Sequence, residues 1–142
     1  MKRFALLVLV FISAFTSCSL DEDTVSVRTE TMAIESVDMP DHFVQGESYE
    51  ILITYNRPSN CYLFYDFFYQ ITGNERVIAV IDTVYVDSVC VEESVSATVS
   101  LNFKATGTET YLFKFYQGVD ESGEDLYYLV EVPVINSRPV SK

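Results

Sequence analysis

The chain predicts an all-β fold, a single antiparallel β-sandwich of about seven strands behind an apolar N-terminal segment. Three observations lead there. Strand-forming residues dominate beyond residue 30, where Val, Ile, Thr, Tyr and Phe are frequent while Ala and Leu are few, and Trp is absent from the chain. Apolar and polar residues alternate with period two in segment after segment. Turn-forming residues fall between those segments at short intervals.

The segments follow in order. The first is 31–37, closed by a break containing Pro40, Asp41 and Gly46. The second, 48–56, sets Tyr49, Ile51, Ile53 and Tyr55 on one face against Glu50, Thr54 and Asn56 on the other. A loop at Arg57-Pro58-Ser59-Asn60 leads into the third, 61–71. Gly73-Asn74 is a tight hairpin signal, and 76–86 is the fourth. The fifth, 94–103, alternates most cleanly, with Val95, Ala97, Val99, Leu101 and Phe103 inward. Thr106-Gly107 turns the chain into the sixth, 110–117. A loop carrying Ser122-Gly123 precedes the seventh, 125–134. Seven such strands in about 100 residues are an immunoglobulin-like sandwich in architecture, although no core Trp supports an antibody-type domain. Architecture does not decide function.

Cys61 and Cys90 are candidates for a disulfide. If Gly73 and Asn74 form a two-residue hairpin loop, Thr72 faces Glu75 and, counting back, Cys61 faces Val86. Cys90 lies four residues further, at the same end of the hairpin, so a short bend brings the two together. Closing a loop of that size contributes about 3–4 kcal/mol on the chain-entropy argument. The spacing is not that of a redox pair.

Catalytic chemistry finds little support. A serine or cysteine nucleophile needs a positioned base, and His42, in a loop beside Pro40 and Asp41, is the sole histidine. No phosphate loop, nucleophile elbow, zinc-protease or dinucleotide motif occurs, so the chain reads as a non-enzyme without metal or cofactor. The stretch Asp120-Glu121-Ser122-Gly123-Glu124-Asp125 has calcium-type oxygens but not EF-hand spacing, and reads as a solvated hairpin loop.

The distribution of aromatics is more informative. In 61–71, Leu63, Tyr65, Phe67, Tyr69 and Ile71 form a full core row, yet the opposite row, Tyr62, Phe64, Asp66, Phe68 and Gln70, is too apolar for a plain solvent face. In the last two strands Tyr111, Phe113, Phe115 and Leu126, Tyr128, Val130, Val132 look inward. That leaves Leu112, Lys114, Tyr116 and Tyr127, Leu129, Glu131 outward. In an immunoglobulin-like arrangement the third, sixth and seventh strands are neighbours in one sheet. Tyr62, Phe64, Phe68, Leu112, Tyr116, Tyr127 and Leu129 would then form one exposed apolar patch, the usual mark of an interaction site.

The N-terminus speaks to location. Met1-Lys2-Arg3 is a short positive start, and 4–15 (FALLVLVFISAF) is an apolar run too short to span a bilayer. It fits a signal peptide. Phe15-Thr16-Ser17-Cys18 resembles the lipobox of bacterial lipoproteins, with Phe15 where Leu, Val or Ile is usual. That resemblance implies cleavage after residue 17 and lipid attachment at Cys18, an anchor with more than one acyl chain. The acidic cluster Asp21-Glu22-Asp23 resembles the surface-export signal of Bacteroidota lipoproteins, which implies an outer-membrane location facing the exterior; a periplasmic-facing position is the alternative. Residues 1–17 are thus read as signal peptide, 18–30 as lipidated cysteine and acidic tether, and 31–142 as the sandwich.

Charge narrows the partners. Of nine basic residues, Lys2 and Arg3 leave with the signal peptide, so seven face 21 acidic ones and the net charge becomes −14. Such a chain does not suit nucleic acid, and an anionic bilayer repels it. The expectation is a membrane-anchored binding or adhesion module for an unknown protein or glycan ligand. The alternative is a structural or accessory subunit of a cell-envelope or surface assembly.

Overall fold

The computed structural model describes residues 25–136. The segment read as signal peptide, Cys18 and the acidic cluster lie outside the described residues. The chain forms the expected β-sandwich, with ten strands rather than seven. In chain order they are β1 (Val27–Met32), β2 (Ile34–Asp38), β3 (Phe43–Val44), β4 (Ser48–Arg57), β5 (Tyr62–Thr72), β6 (Glu75–Tyr85), β7 (Val95–Lys104), β8 (Tyr111–Val119), β9 (Asp125–Val132) and β10 (Val134–Ile135).

The smaller sheet has the order β2-β4-β7. The larger is built around β6. Along one edge β6 pairs with β5 in a hairpin; along the other, residues 75–78 pair parallel with β8 and residues 80–85 pair antiparallel with β1. β9 completes the sheet beyond β8. The hairpin turn at Gly73-Asn74 forms as the dipeptide implies. Gly73 has φ +58°, the left-handed first position that a type II′ turn reserves for glycine.

Three extra strands come from features too short or too regular for a pattern reading. The first predicted strand is two, β1 and β2, in different sheets. Met32 and Ile34 both point into the core on either side of Ala33, so period two runs unbroken through the crossing. β1 also begins at Val27, inside the stretch read as tether. The seventh predicted strand stops at Val132, because Pro133 lacks a ladder donor, and resumes as β10. β10 pairs parallel with β3 over two residues each.

The core is aromatic where a sandwich often holds a Trp. Phe43, Phe103, Tyr111 and Phe113 interlock, with Phe103 at 5.0–5.1 Å from each of the other three ring centroids and two of those contacts edge-on. Ile51, Ile53 and Tyr55 of β4 and Ile78 and Val80 of β6 complete it, all wholly buried. The inward rows predicted for 48–56, 94–103 and 110–117 are the observed ones.

One carboxylate sits in this core. Asp82 is wholly buried, and its Oδ1 accepts a 2.9 Å hydrogen bond from the Tyr55 hydroxyl; Oδ2 has no hydrogen-bond partner among the described residues. Burial pushes the Asp82 carboxyl above its ordinary range, while the Tyr55 hydrogen bond and the Arg57 charge pull the other way. Burial likewise raises the Tyr55 phenol, and the Asp82 carboxylate raises it further.

Cys61 and Cys90 are joined in a disulfide with their Cα atoms 5.6 Å apart. The Cys61 carbonyl accepts the Tyr85 N–H, one position short of the Val86 that simple counting gives. The bulge described next absorbs that residue.

Candidate functional site

β5 carries an extra residue. Its register runs from Phe64 opposite Asp82 to Asp66 opposite Ile81, leaving Tyr65 unpaired. Asp66 Oδ1 accepts the Phe67 N–H at 2.8 Å, which holds the kink. A bulge of this kind inverts every side chain on one side of it relative to the other. Phe67, Tyr69 and Ile71 therefore lie on the inner face as predicted, but so do Tyr62 and Phe64, which were placed outside.

This corrects the predicted binding face. Tyr62 packs against the core and its hydroxyl donates to Glu30 at 3.2 Å. Burial, then Glu30, raises its phenol. It also borders a hollow of about 440 Å³ at the disulfide end, with Arg28, Cys61 and Cys90. Phe64 packs against Phe67 along the inner side of the edge strand, ring centroids 5.0 Å apart and planes tilted by 59°. The supposed adjacency of the third and sixth strands is also wrong, since β6 lies between β5 and β8.

The other five residues share the outer face of the larger sheet. Phe68 sits opposite Ala79, Leu112 opposite Glu131, Lys114 opposite Leu129 and Tyr116 opposite Tyr127. Phe68, Tyr116 and Tyr127 line a groove of about 220 Å³ together with Thr31, Val77, Ala79, Ile81 and Asp125. Leu112 and Leu129 flank it on the same face, Leu129 largely exposed.

The groove has a topological cause. β8 leaves the edge of β6 after Ile78, and β1 takes its place from Val80. Ala79 falls at the changeover, paired with Phe68 of β5 on one edge but with no strand paired to it on the other. Its methyl group forms a buried floor below the rings of Phe68 on one side and Tyr116 on the other. β8 has its own bulge after Tyr116, at Gln117, with Gly118 at φ +106°, a backbone angle that favours glycine. Tyr116 and Tyr127 stand at 6.2 Å in an edge-to-face pair there.

The polar groups of the groove are few. The Tyr127 hydroxyl donates to Asp125 Oδ2 at 3.1 Å. Burial raises the Tyr127 phenol, helped by the Asp125 hydrogen bond and charge, Tyr116 and Glu75. Lys114 Nζ lies 5.1 Å from the Tyr127 ring centroid and pairs with Glu75 at 3.2 Å.

Thr31, Val77, Ala79 and Ile81 were not singled out from the sequence, and Asp125 only as part of the acidic stretch 120–125. A signal existed for three of them: 77–81 reads Val-Ile-Ala-Val-Ile, an unbroken apolar run, which marks a central strand covered on both faces.

Of the other sequence candidates, Asp125 from the stretch 120–125 lines the groove, whereas His42 and Asp120 do not. His42 is half-buried in the segment between β2 and β3. In the β8–β9 loop, Asp120 Oδ1 accepts from the Ser122 N–H, the Ser122 hydroxyl and the Glu124 N–H. These bonds, the Ser122 hydroxyl first, hold the Asp120 carboxyl below its ordinary range. Among the described residues no three His, Cys, Asp or Glu side chains converge as a metal site would require.

No family model matches the chain, and no curated protein and no solved structure is significantly similar to it.

Proposed function

We propose that the protein is a lipid-anchored binding module that presents the outer face of its larger sheet to a protein or glycan ligand. The observation that carries this reading is the groove floored by Ala79 and walled by Phe68, Tyr116 and Tyr127. These rings lie outside a core that is already filled, and a cluster of outward aromatics around a concavity is characteristic of recognition surfaces. Lipid on Cys18, after removal of residues 1–17, would hold the domain to an outer membrane, facing the exterior. The support for that is the residue pattern from Met1 to Asp23.

The test is protease shaving of intact cells, with a Cys18→Ala variant as control, followed by binding of the released domain to neighbouring-cell and host surfaces. Loss of the domain from intact cells, together with surface binding abolished by Ala79→Leu, is the expected result. Protection of the domain until the outer membrane is opened would refute the exterior location. Undiminished binding by Ala79→Leu would refute the groove.

A second reading, an accessory subunit of an envelope assembly, draws on β5. Among the described residues this edge strand pairs only with β6, and Phe64, Tyr69 and Ile71 on its inner side stay 37–61% exposed. Open apolar edges of this length are templates for another chain. Co-purification of an envelope partner that Phe64→Lys, but not Ala79→Leu, releases would favour this reading over the first.

A further inference from the structure

We infer that the groove takes the guanidinium of an arginine from a basic segment of a partner protein, an inference that rests on the binding reading above.

Size comes first. About 220 Å³ falls below the ~300–1,000 Å³ typical of drug-sized ligands and suits a single anchoring side chain. Arginine is among the residues that most often serve as such anchors.

The chemistry of the walls selects a cation. Three of the eight lining residues are aromatic, and a ring face attracts a positive charge. The chain already uses Tyr127 in this way, with the Lys114 ammonium set against its ring and neutralised by Glu75. No Lys or Arg lines the groove, whereas Asp125 does. Among the described residues no cation pairs with Asp125. Asp66, placed on the same outer face by its register with Ile81, adds a second carboxylate on the opposite flank. The whole chain carries −12. Charge complementarity therefore points to a basic partner.

A sugar fits these walls less well. Its hydroxyls need a fan of donors and acceptors, and the lining offers only two phenols, the Thr31 hydroxyl and one carboxylate. A flat guanidinium needs less: ring faces to stack on and a carboxylate to take its N–H groups. Arginine meets both needs better than lysine, being planar, forked and more weakly hydrated.

The experiment is a titration of the full, isotope-labelled chain in a zwitterionic detergent, followed by amide chemical shifts. The probes are N-acetyl-arginine amide, N-acetyl-lysine amide and N-acetylglucosamine. Arginine amide is expected to give saturable shifts at 68, 79, 116 and 127, stronger than those from lysine amide. Ala79→Leu, which fills the floor, should abolish them, and Asp125→Asn should weaken binding about two- to fivefold, as for a partly exposed charge pair. If the Ala79→Leu spectrum is not that of the folded chain, Tyr116→Ser takes its place. Shifts spread over the acidic surface and unchanged in the groove variants would overturn the inference. Saturable shifts at the same amides from N-acetylglucosamine but not from arginine amide would also overturn it, while leaving the groove as a binding site. Silence with all three probes, combined with undiminished cell-surface binding by Ala79→Leu, would remove both readings.

Discussion

Replacing Tyr55 by Phe removes one oxygen from the core and leaves a buried carboxylate without a hydrogen bond. Tyr55 and Asp82 are both wholly buried, and the Tyr55 hydroxyl is the only hydrogen-bond donor to Asp82 among the described residues. A hydrogen bond to a charged group contributes ~1.5–3 kcal/mol, and stranding a buried charge costs ~3–5 kcal/mol. The Arg57 charge still acts on Asp82, so where Asp82 is ionised the expected loss lies near the overlap, about 3 kcal/mol. The loss should depend on pH. A carboxyl raised in the folded state binds more protons folded than unfolded. In the native chain this group's contribution therefore falls as pH climbs from its unfolded value through its folded one. Tyr55→Phe deletes a bond that lowers the Asp82 carboxyl, so the folded value moves higher and the decline extends to higher pH. Where Asp82 is protonated in both proteins, only a neutral hydrogen bond is lost, worth about 1 kcal/mol. Urea unfolding of both proteins at pH 4 and pH 7, with the denaturant slope held as a check, reads the two losses directly. Equal losses at the two pH values would show that Asp82 is not a strained ion in the folded chain, and the argument from its burial would fail.

Three further outcomes follow from the same geometry. Cys61→Ser with Cys90→Ser should lower stability by about 3–4 kcal/mol, because the bond closes a separation of 29 residues; urea midpoints measure this. Phe113→Ala should cost ~3–5 kcal/mol while Phe68→Ser stays within about 0.5 kcal/mol, since Phe113 is 0% and Phe68 48% exposed; similar losses would mean the outer row is structural. Asp120→Ala should speed amide exchange at Ser122 and Glu124, whose N–H groups it caps, and leave the melting temperature of the native chain and the variant alike unresponsive to calcium.

The sequence made the sandwich and most of its inner rows readable because strand faces follow a strict period of two. Tyr49, Ile51, Ile53 and Tyr55, like Tyr111, Phe113 and Phe115, alternate without interruption and lie where the alternation puts them. The same regularity hid the crossing at Ala33, where the chain changes sheets without changing phase. The β5 bulge was unreadable for a different reason. With Tyr, Leu, Phe and Tyr in succession from Tyr62 to Tyr65, either phase yields an apolar row, so the sequence holds no contrast from which to locate an inserted residue. Strand order was the third gap. Insertion of β6 between β5 and β8 depends on pairing between distant segments, and the only local hint was the two-sided apolar run at 77–81.

That insertion is also what gives the outer face its shape. Had β5 lain beside β8, as the immunoglobulin-like order predicts, Phe68 and Tyr116 would stand on adjacent strands and their rings could close over one another. With β6 between them they are a strand further apart, and the residue under the gap is Ala79, the smallest side chain on this face of β6. Stability does not call for this arrangement. A larger residue at 79 would bury more apolar surface, at roughly 25 cal/mol per Å², and bring the groove level with its walls. The fold instead keeps three rings around an open hollow on a strongly acidic chain, and the negative charge offsets the loss of solubility that exposed rings bring. The aromatic hollow, at the place where β8 gives way to β1 along β6, is the feature on which the proposed binding role rests.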